Sequence, residues 1–407
     1  MNDKRIYTPD GVQDILTDEC RLKRDIEEKV RKRLRQSGFL EIETPSIEYY
    51  DVFAAGGVIE QEMMYKFSDA SGALLALRPD MTVPAMRVFS AKMRDRQLPV
   101  KLFYIGNVFR YNEAGGGRYR EFTQAGTEMI GAPGPLADAE VIAQSIGIMK
   151  DLGIDDFQVD IGQVEFFKGI VAAEGVDEET VETVRQCIDR KDYAQLEMLL
   201  KGKSFSKELA DKLLGLPGLF GTADVLDKAE KFANNERSAK AIDNLREVIK
   251  ILEDYGLGDS ITVDLGMLGS LNYYTGTIFK GFTKGSGFPV MSGGRYDGLS
   301  KNYGRDSSAT GFSIGLNMVM RALERKDPSI LKEKEPITRV CFDKENRSEA
   351  FALVEELRSQ GIRAESDTEG LTAAQAKARE NELVKYIFAG ETSAPKAQKA
   401  RKERDLK

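Results

Sequence analysis

Several polar residues of this chain alternate along a strand that follows a glycine-rich turn. The stretch from 120 to 130 has a period of two, so five side chains share one face: Arg120, Phe122, Gln124, Gly126 and Glu128. A face that packs in a core is apolar, whereas this face carries polar groups and a glycine. The pattern favours the wall of a polar pocket, with a face turned to water as the alternative.

Histidine is absent from the sequence. This excludes an imidazole general base, a histidine metal ligand and a Ser-His-Asp triad. The cysteines, Cys20, Cys187 and Cys341, are far apart and form no C-x-x-C pair, so neither a disulfide framework nor a zinc site is predicted. We expect no metal and no cofactor. The lack of histidine reflects either compositional chance or economy in a protein that is made when histidine is scarce.

The composition is that of a soluble protein, because 41% of the 407 residues are hydrophobic and 31% are charged. No apolar run approaches the roughly 20 residues that a membrane span needs, and the first residues lead into no apolar signal segment. We therefore expect a cytoplasmic protein that does not enter a membrane. A net charge of -7 argues against an overall basic surface for nucleic acid, although a local basic patch is compatible with it.

A hairpin is the clearest predicted element around these residues. Strands over 101–110 and 120–130 flank the glycine-rich turn, which predicts antiparallel pairing. The spacing of Leu22, Ile26, Val30 and Leu34 predicts an amphipathic helix over 17–38. A strand over 39–44 should follow this helix and end at Pro45, which has no N–H for a ladder.

The remaining segments predict an α+β fold in two domains. Further elements are expected as follows: strands at 73–77, 260–265 and 273–279, a helix at 315–325, and an inserted helical subdomain over 167–258. The first domain should cover 1–336. A small α/β unit over 337–407 should contain strands at 338–342, 362–365 and 384–389, a helix at 348–360, and a charged tail from 396 that frays.

Ordered motifs resemble those of class II aminoacyl-tRNA synthetases. Phe109-Arg110, followed by Gly117 to Phe122 and by Gln124, resembles their second signature motif, and the strand before Pro45 resembles the first. Three further segments resemble the histidyl-tRNA synthetases: Leu77-Arg78-Pro79-Asp80-Met81-Thr82, Leu271 to Thr277, and Gly293 to Leu299. The likeness covers about residues 5–325.

This resemblance implies an antiparallel sheet flanked by helices and a site for an amino acid. In the family, the arginine that matches Arg110 contacts the substrate carboxylate and the α-phosphate of ATP, and its fork of donors suits such oxygens. The residues that match Asp80 and Thr82 hold the α-amine, and tyrosines meet the imidazole. The residues expected to bind histidine are Asp80, Thr82, Arg110, Gln124, Glu128, Tyr273, Tyr274 and Tyr296.

The sequence departs from the synthetase pattern where phosphate chemistry occurs. Gly269 stands in place of the catalytic arginine, Met318 in place of the arginine of the third motif, and Asn112 in place of a glutamate. A comparable arginine contributes about 10³–10⁵ to the rate of phosphoryl transfer. Arg295 and Arg321 are nearby, but their spacing gives no reason to expect substitution. We therefore predict no aminoacylation and assign no catalytic residue.

An amino-acid site that persists without this chemistry indicates a sensor, with a relic of an ancestral site as the alternative. The same departures resemble the regulatory subunits of ATP phosphoribosyltransferase, which are paralogues of histidyl-tRNA synthetase. That resemblance implies a non-catalytic subunit, dimeric partly through 39–50, that joins short catalytic subunits in a hetero-octamer. It also implies activation of the catalytic subunit and feedback inhibition by L-histidine, bound in the pocket or at a subunit interface, in the first step of histidine biosynthesis.

Two further interpretations concern nucleic acid. The unit over 337–407 resembles the start of the anticodon-binding domain of these synthetases in truncated form, so tRNA recognition is not expected. Its basic tail, with Lys396, Lys399, Arg401, Lys402 and Arg404, either contacts anions or is solvated. An active histidyl-tRNA synthetase with rearranged arginines is the alternative function, and an amino-acid- or RNA-binding protein without a transferase partner is a further one.

Overall fold

The computed structural model describes residues 4–57, 59–111, 119–172, 175–202, 205–233, 235–269, 274–332 and 335–390. The chain divides into two compact units, Met1–Ile330 and Leu331–Lys407. The boundary lies close to the change of sequence character at 336, and each unit has a sheet of its own.

A mixed sheet forms the centre of the first unit. The strands of this unit are β1 Leu40–Glu41, β2 Ile47–Tyr49, β3 Lys66–Ser68, β4 Leu74–Leu77, β5 Val100–Phe109, β6 Glu121–Ile130, β7 Phe157–Gln163, β8 Phe220–Gly221, β9 Ile261–Asp264, β10 Thr277–Thr283, β11 Met291–Arg295 and β12 Ala309–Gly315. In the described residues, nine of them form one sheet in the order β1-β5-β6-β12-β11-β10-β7-β9-β8. Strands β2, β4 and β3 form a small antiparallel sheet.

Helices cover this sheet and account for most of the segment over 167–258. The helices of the first unit are α1 Thr17–Gln36, α2 Tyr50–Gly56, α3 Thr82–Lys92, α4 Pro135–Asp151, α5 Val164–Ala172, α6 Glu178–Asp189, α7 Tyr193–Gly202, α8 Lys207–Gly215, α9 Val225–Ala229, α10 Glu236–Asp254 and α11 Leu316–Lys326. Helix α10 packs against both α5 and α4, and β8 extends the main sheet. The predicted helical region is therefore packed against the body that carries the sheet.

The predicted hairpin is confirmed. Strands β5 and β6 pair antiparallel from Val100 opposite Ile130 to Phe109 opposite Glu121. The amphipathic helix is also confirmed, because Leu22, Ile26, Val30 and Leu34 are all buried on one face of α1. The hairpin and α1 thus form where periodicity in the sequence predicts them.

Other elements differ from the prediction. The strand expected over 39–44 is only β1, which pairs parallel to β5, and a separate strand β2 follows Pro45 in the small sheet. The strand expected over 273–279 begins at Thr277 and extends to Thr283. Helix α4 was not predicted. It is buried on nearly every side, so it lacks the polar stripe by which a surface helix is recognised.

The second unit is a three-stranded parallel sheet with helices. Its elements are β13 Ile337–Cys341, α12 Arg347–Ser359, β14 Ala364–Ser366, α13 Ala373–Arg379 and β15 Val384–Phe388, and the strand order is β14-β13-β15. Val340 and Val354 pack in one core cluster, whereas Cys341 and Leu371 pack in another. Strands β13, β14 and β15 correspond to the three strands predicted in this unit. The basic tail from 396 lies outside the described residues.

Candidate functional site

A cavity of about 780 Å³ opens over the middle of the main sheet. Seven of the residues expected to bind histidine line it: Asp80, Thr82, Arg110, Gln124, Glu128, Tyr274 and Tyr296. Tyr273 lies outside the described residues. Strands β4, β5, β6, β10 and β11 with their flanking segments thus bring together side chains that are far apart in sequence, in a volume typical of a small-molecule site.

Arg110 lies at the end of β5, where the hairpin leaves the sheet. Its Nε donates a hydrogen bond to the carbonyl oxygen of Pro79 at 2.8 Å, and its guanidinium lies 5.4 Å from the ring centroid of Phe122. These contacts orient a planar cation on the wall of the cavity. Such a cation suits a carboxylate, because its fork of donors matches two oxygens.

Asp80 supplies negative charge at the start of α3. One carboxylate oxygen accepts a hydrogen bond from the backbone N–H of Val83 at 2.9 Å, and the other is buried without a hydrogen-bond partner among the described residues. Burial raises the pKa of Asp80, whereas the charge of Arg110 opposes this shift. A buried acceptor without a partner is costly. A ligand ammonium would satisfy it.

Glu128 is buried in the centre of β6 with two tyrosine hydroxyls on its carboxylate. The hydroxyl of Tyr104 donates to Oε1 at 2.8 Å, and the hydroxyl of Tyr296 donates to Oε2. Burial raises the pKa of Glu128 to about 7, although hydrogen bonds from Tyr296, Tyr104 and Thr82 oppose the shift. At neutral pH this carboxyl group can therefore accept or donate a proton toward a ligand.

Two glycines, Gly293 of β11 and Gly311 of β12, line the cavity. A Cβ at Gly293 would lie 2.3 Å from the carbonyl oxygen of Gly311, and a Cβ at Gly311 would lie 2.1 Å from Oε2 of Glu128. The next residue, Gly294, is not among the described lining residues, and a Cβ there would lie 2.6 Å from the carbonyl oxygen of Thr277. Strands β10, β11 and β12 therefore approach more closely here than residues with side chains would allow.

The residues that replace the synthetase arginines also line the cavity. Gly269 and Met318 both line it, and so does Asn317, whose side-chain oxygen accepts a hydrogen bond from the N–H of Thr123 at 3.1 Å. Gly269 has a φ of 81°, which disfavours any side chain. The two positions where the family pattern carries guanidinium groups are thus neutral, and one has a backbone suited to glycine. Asn112 lies outside the described residues.

The two neighbouring arginines are engaged elsewhere. Arg295 is buried and pairs with Asp138 at 2.8 Å and with Asp297 at 3.0 Å. Arg321 donates a hydrogen bond to the hydroxyl of Tyr119 at 2.8 Å and lies over its ring. Neither arginine is among the described residues that line the cavity.

Arg120 corrects the pocket face predicted from alternation. Strand β6 begins one residue later, and Arg120 lies over the ring of Tyr111 and donates to the carbonyl oxygen of Asp10. Its side chain is therefore directed to the N-terminal segment, since the alternation of a strand holds only within the ladder. Gly126 is also not among the described lining residues, because the position of a Cβ there is taken by the ring of Tyr104.

Sequence reasoning missed two cations of the cavity. Lys280 on β10 and Lys191 just after α6 both line it, and Lys280 lies directly opposite Asp160 of β7. The alternation of Ile278, Lys280 and Phe282 on β10 was a signal for the first, whereas no sequence signal indicated the second. Besides Arg110, the cavity therefore carries positive charge as lysine ammonium groups, which lack the bidentate fork of arginine.

None of the helices in the described ranges combines the length and apolar character needed to span a bilayer. Over the same ranges, no group of three or more Cys, Asp or Glu side chains is placed to hold a metal ion.

Comparisons with known proteins agree on one family. The family model described as histidyl-tRNA synthetase matches residues 11–319. The chain is 51% identical, over 91% of its length and 88% of the relative, to the ATP phosphoribosyltransferase regulatory subunit of Acetivibrio thermocellus. It is 47% identical, over 95% of its length and 93% of the relative, to the protein of that name from Ruminiclostridium cellulolyticum.

Solved structures show the same likeness. An ATP phosphoribosyltransferase regulatory subunit/histidyl-tRNA synthetase from Bacillus halodurans superposes with a TM-score of 0.84 at 29% identity, covering 94% of this chain and 98% of that one. A histidyl-tRNA synthetase from Nostoc sp. PCC 7120 superposes with a TM-score of 0.78 at 25% identity, covering 92% and 88%. The class II synthetase-like α+β fold is thereby confirmed.

Proposed function

The chain belongs to the histidyl-tRNA synthetase family and, within it, to the ATP phosphoribosyltransferase regulatory subunits, and from this premise we propose that it senses L-histidine in the cavity over its main sheet. It acts as a non-catalytic subunit of the transferase in the first step of histidine biosynthesis. One observation carries the proposal: the groups suited to a zwitterion share a cavity with neutral residues at both positions where the synthetases carry arginine.

The contacts support a ligand with an ammonium and a carboxylate. The unpartnered oxygen of Asp80 suits the ammonium, and the guanidinium of Arg110 suits the carboxylate. Glu128 and Tyr274 lie on the same cavity and suit the imidazole, because a carboxyl group with a pKa of about 7 can share a proton with a ring nitrogen. The proposed ligand site comprises these residues with Thr82, Gln124, Tyr273 and Tyr296.

The assembly is part of the proposal. The partner is the short-form catalytic subunit, in a hetero-octamer that contains dimers of this chain. Exposed apolar side chains on β1 and the small sheet support such a dimer: Leu40, Ile47, Tyr49, Phe67 and Leu74. Histidine shifts activity only if it binds one state of the assembly better than the other, and a coupling of about 1–3 kcal/mol is typical. The proposed effector site is the cavity rather than a subunit interface.

The direct test measures binding and activity together. Titration calorimetry of the purified chain with L-histidine should give saturable binding, and D80N should weaken it at least tenfold, because it removes a charge beside the ammonium. The surface variant R246A is the matched control and should bind as the wild type does. Co-expression with a short-form catalytic subunit should give a complex whose transferase activity histidine inhibits. Failure to form that complex contradicts the proposal.

An active histidyl-tRNA synthetase is the second candidate function. It is favoured by the presence of two further cations, Lys191 and Lys280, in the lining of the cavity. The two functions separate in a pyrophosphate exchange assay with histidine and ATP. We expect no exchange above the blank. Robust exchange by the wild-type chain would establish catalysis and overturn the regulatory proposal.

A further inference from the structure

Two residues that line the cavity, Gly269 and Tyr274, accept hydrogen bonds from charged side chains of helices α6 and α5. Gly269 follows β9 and Tyr274 precedes β10, and residues 270–273 between them lie outside the described residues. Both line the cavity, and they touch one another, because a Cβ at Gly269 would lie 3.0 Å from Cδ2 of Tyr274. The placement of the Tyr274 ring therefore depends on what holds these two positions.

Helix α6 holds the Gly269 side. Arg185 donates a hydrogen bond from its guanidinium to the carbonyl oxygen of Gly269, and Asp189, one turn further along α6, accepts from the N–H of Leu268 at 3.1 Å. Arg185 itself is fixed by Glu182 at 2.5 Å and Asp189 at 3.4 Å, and its side chain is only 13% exposed. Arg185 and Asp189 thus hold the backbone of two consecutive residues, of which Gly269 lines the cavity.

Helix α5 holds the Tyr274 side. The ammonium of Lys168 donates to the carbonyl oxygen of Tyr274 at 2.9 Å and lies 3.5 Å from Glu165. Glu165 is in turn paired with Arg237 of α10 at 2.6 Å. The α5–α10 helix pair therefore positions Lys168 against the backbone of the tyrosine whose ring lines the cavity.

We infer that Arg185 and Lys168 are positioning residues for ligand binding, which set the place of Tyr274 in the cavity without touching the ligand. This rests on the proposed histidine site. Hydrogen bonds from charged groups are stronger than neutral ones and resist displacement, so two of them on backbone carbonyls fix the wall of the site. Asp80 and Arg110 are held by other contacts, so we expect them to keep their geometry when the two cations are removed.

The test combines single and double variants in titration calorimetry with L-histidine. R185A and K168M should each weaken binding about tenfold, the cost of one hydrogen bond to a charged group. R185K retains a cation and should recover part of the loss. R246A breaks ion pairs with Asp227 and Glu230 in the same helical region, away from the cavity, and should bind as the wild type does.

A double-mutant cycle separates positioning from general destabilisation. In the Y274A background, R185A should cause little further loss of affinity for L-histidine, because both substitutions act through the same ring. In the R110A background, it should cause its full loss, because Arg110 acts on the ligand carboxylate. Full additivity with Y274A, or wild-type affinity of R185A and K168M, would overturn the inference. If R185A does not fold, K168M with Y274A provides the same cycle. If the wild-type chain binds no histidine, the proposed function fails and the inference fails with it.

Discussion

Two groups of residues line the same cavity, yet they differ in charge. In the first group, Asp80, Arg110 and Glu128 are buried or oriented by hydrogen bonds to their neighbours. In the second group, Gly269 and Met318 are neutral where the synthetase pattern carries arginine. Groups that recognise a ligand and groups that stabilise a transition state are therefore separable within one fold, because only the latter meet charge that develops during reaction.

The largest expected effect is at Arg110. R110A should weaken L-histidine binding by about 30-fold or more, because loss of one partner from a buried charge pair costs about 2–5 kcal/mol. L-histidinol, which lacks the carboxylate, should bind the variant and the wild type about equally. R246A, which breaks only ion pairs with Asp227 and Glu230, is the matched arginine control and should leave the affinity for histidine unchanged. Calorimetry on these proteins checks the assignment, and equal losses for histidine and histidinol would contradict it.

The next effect concerns Glu128 and pH. Its pKa of about 7 in the folded chain exceeds the ordinary value of 4.5, so the folded state holds the proton more tightly than the unfolded state. The stabilising contribution is complete below about pH 4.5 and is lost as the pH rises through about 7. The size is on the order of 3 kcal/mol.

E128Q cannot titrate at this position and provides the control. Urea unfolding between pH 4.5 and pH 8.5 should show the wild type losing stability relative to E128Q as the pH rises. The difference between the two proteins should then level off above about pH 7. Parallel profiles over the whole range would show that this carboxyl group has an ordinary pKa in the folded chain.

The smallest expected effects concern the two neutral positions, Gly269 and Met318. G269R should lower the free energy of unfolding by about 1–2 kcal/mol, because the left-handed backbone at this residue penalises a side chain. M318R lies on α11 and should change stability by less than about 0.5 kcal/mol. Denaturant midpoints of the two variants check this contrast. An unchanged midpoint for G269R would show that the loss of arginine at this position is not fixed by the backbone.

The sequence predicted the residues of the candidate site better than it predicted the strands and helices of the fold. Motif residues such as Asp80 and Tyr274 meet on one cavity as predicted, because each lies in a segment with a recognisable pattern. Strands β11 and β12 were not predicted, since Gly293, Gly294 and Gly311 carry no side chain that signals a strand. Lys191 was missed because only the folded chain brings the end of α6 to the cavity. The helical subdomain and the truncated anticodon-binding unit stay predictions.

The two glycines that line the cavity on β11 and β12 limit how this site can change. Gly293 and Gly311 have no room for even one methyl group, since main-chain or buried carboxylate oxygens occupy the space. A larger residue at either glycine would separate the strands, so point substitutions can change the other lining residues but not the depth of the cavity. A protein that loses the synthetase reaction on this sheet therefore keeps a cavity of the same depth. Changes in its ligand preference then come from the residues that line the sides of the cavity.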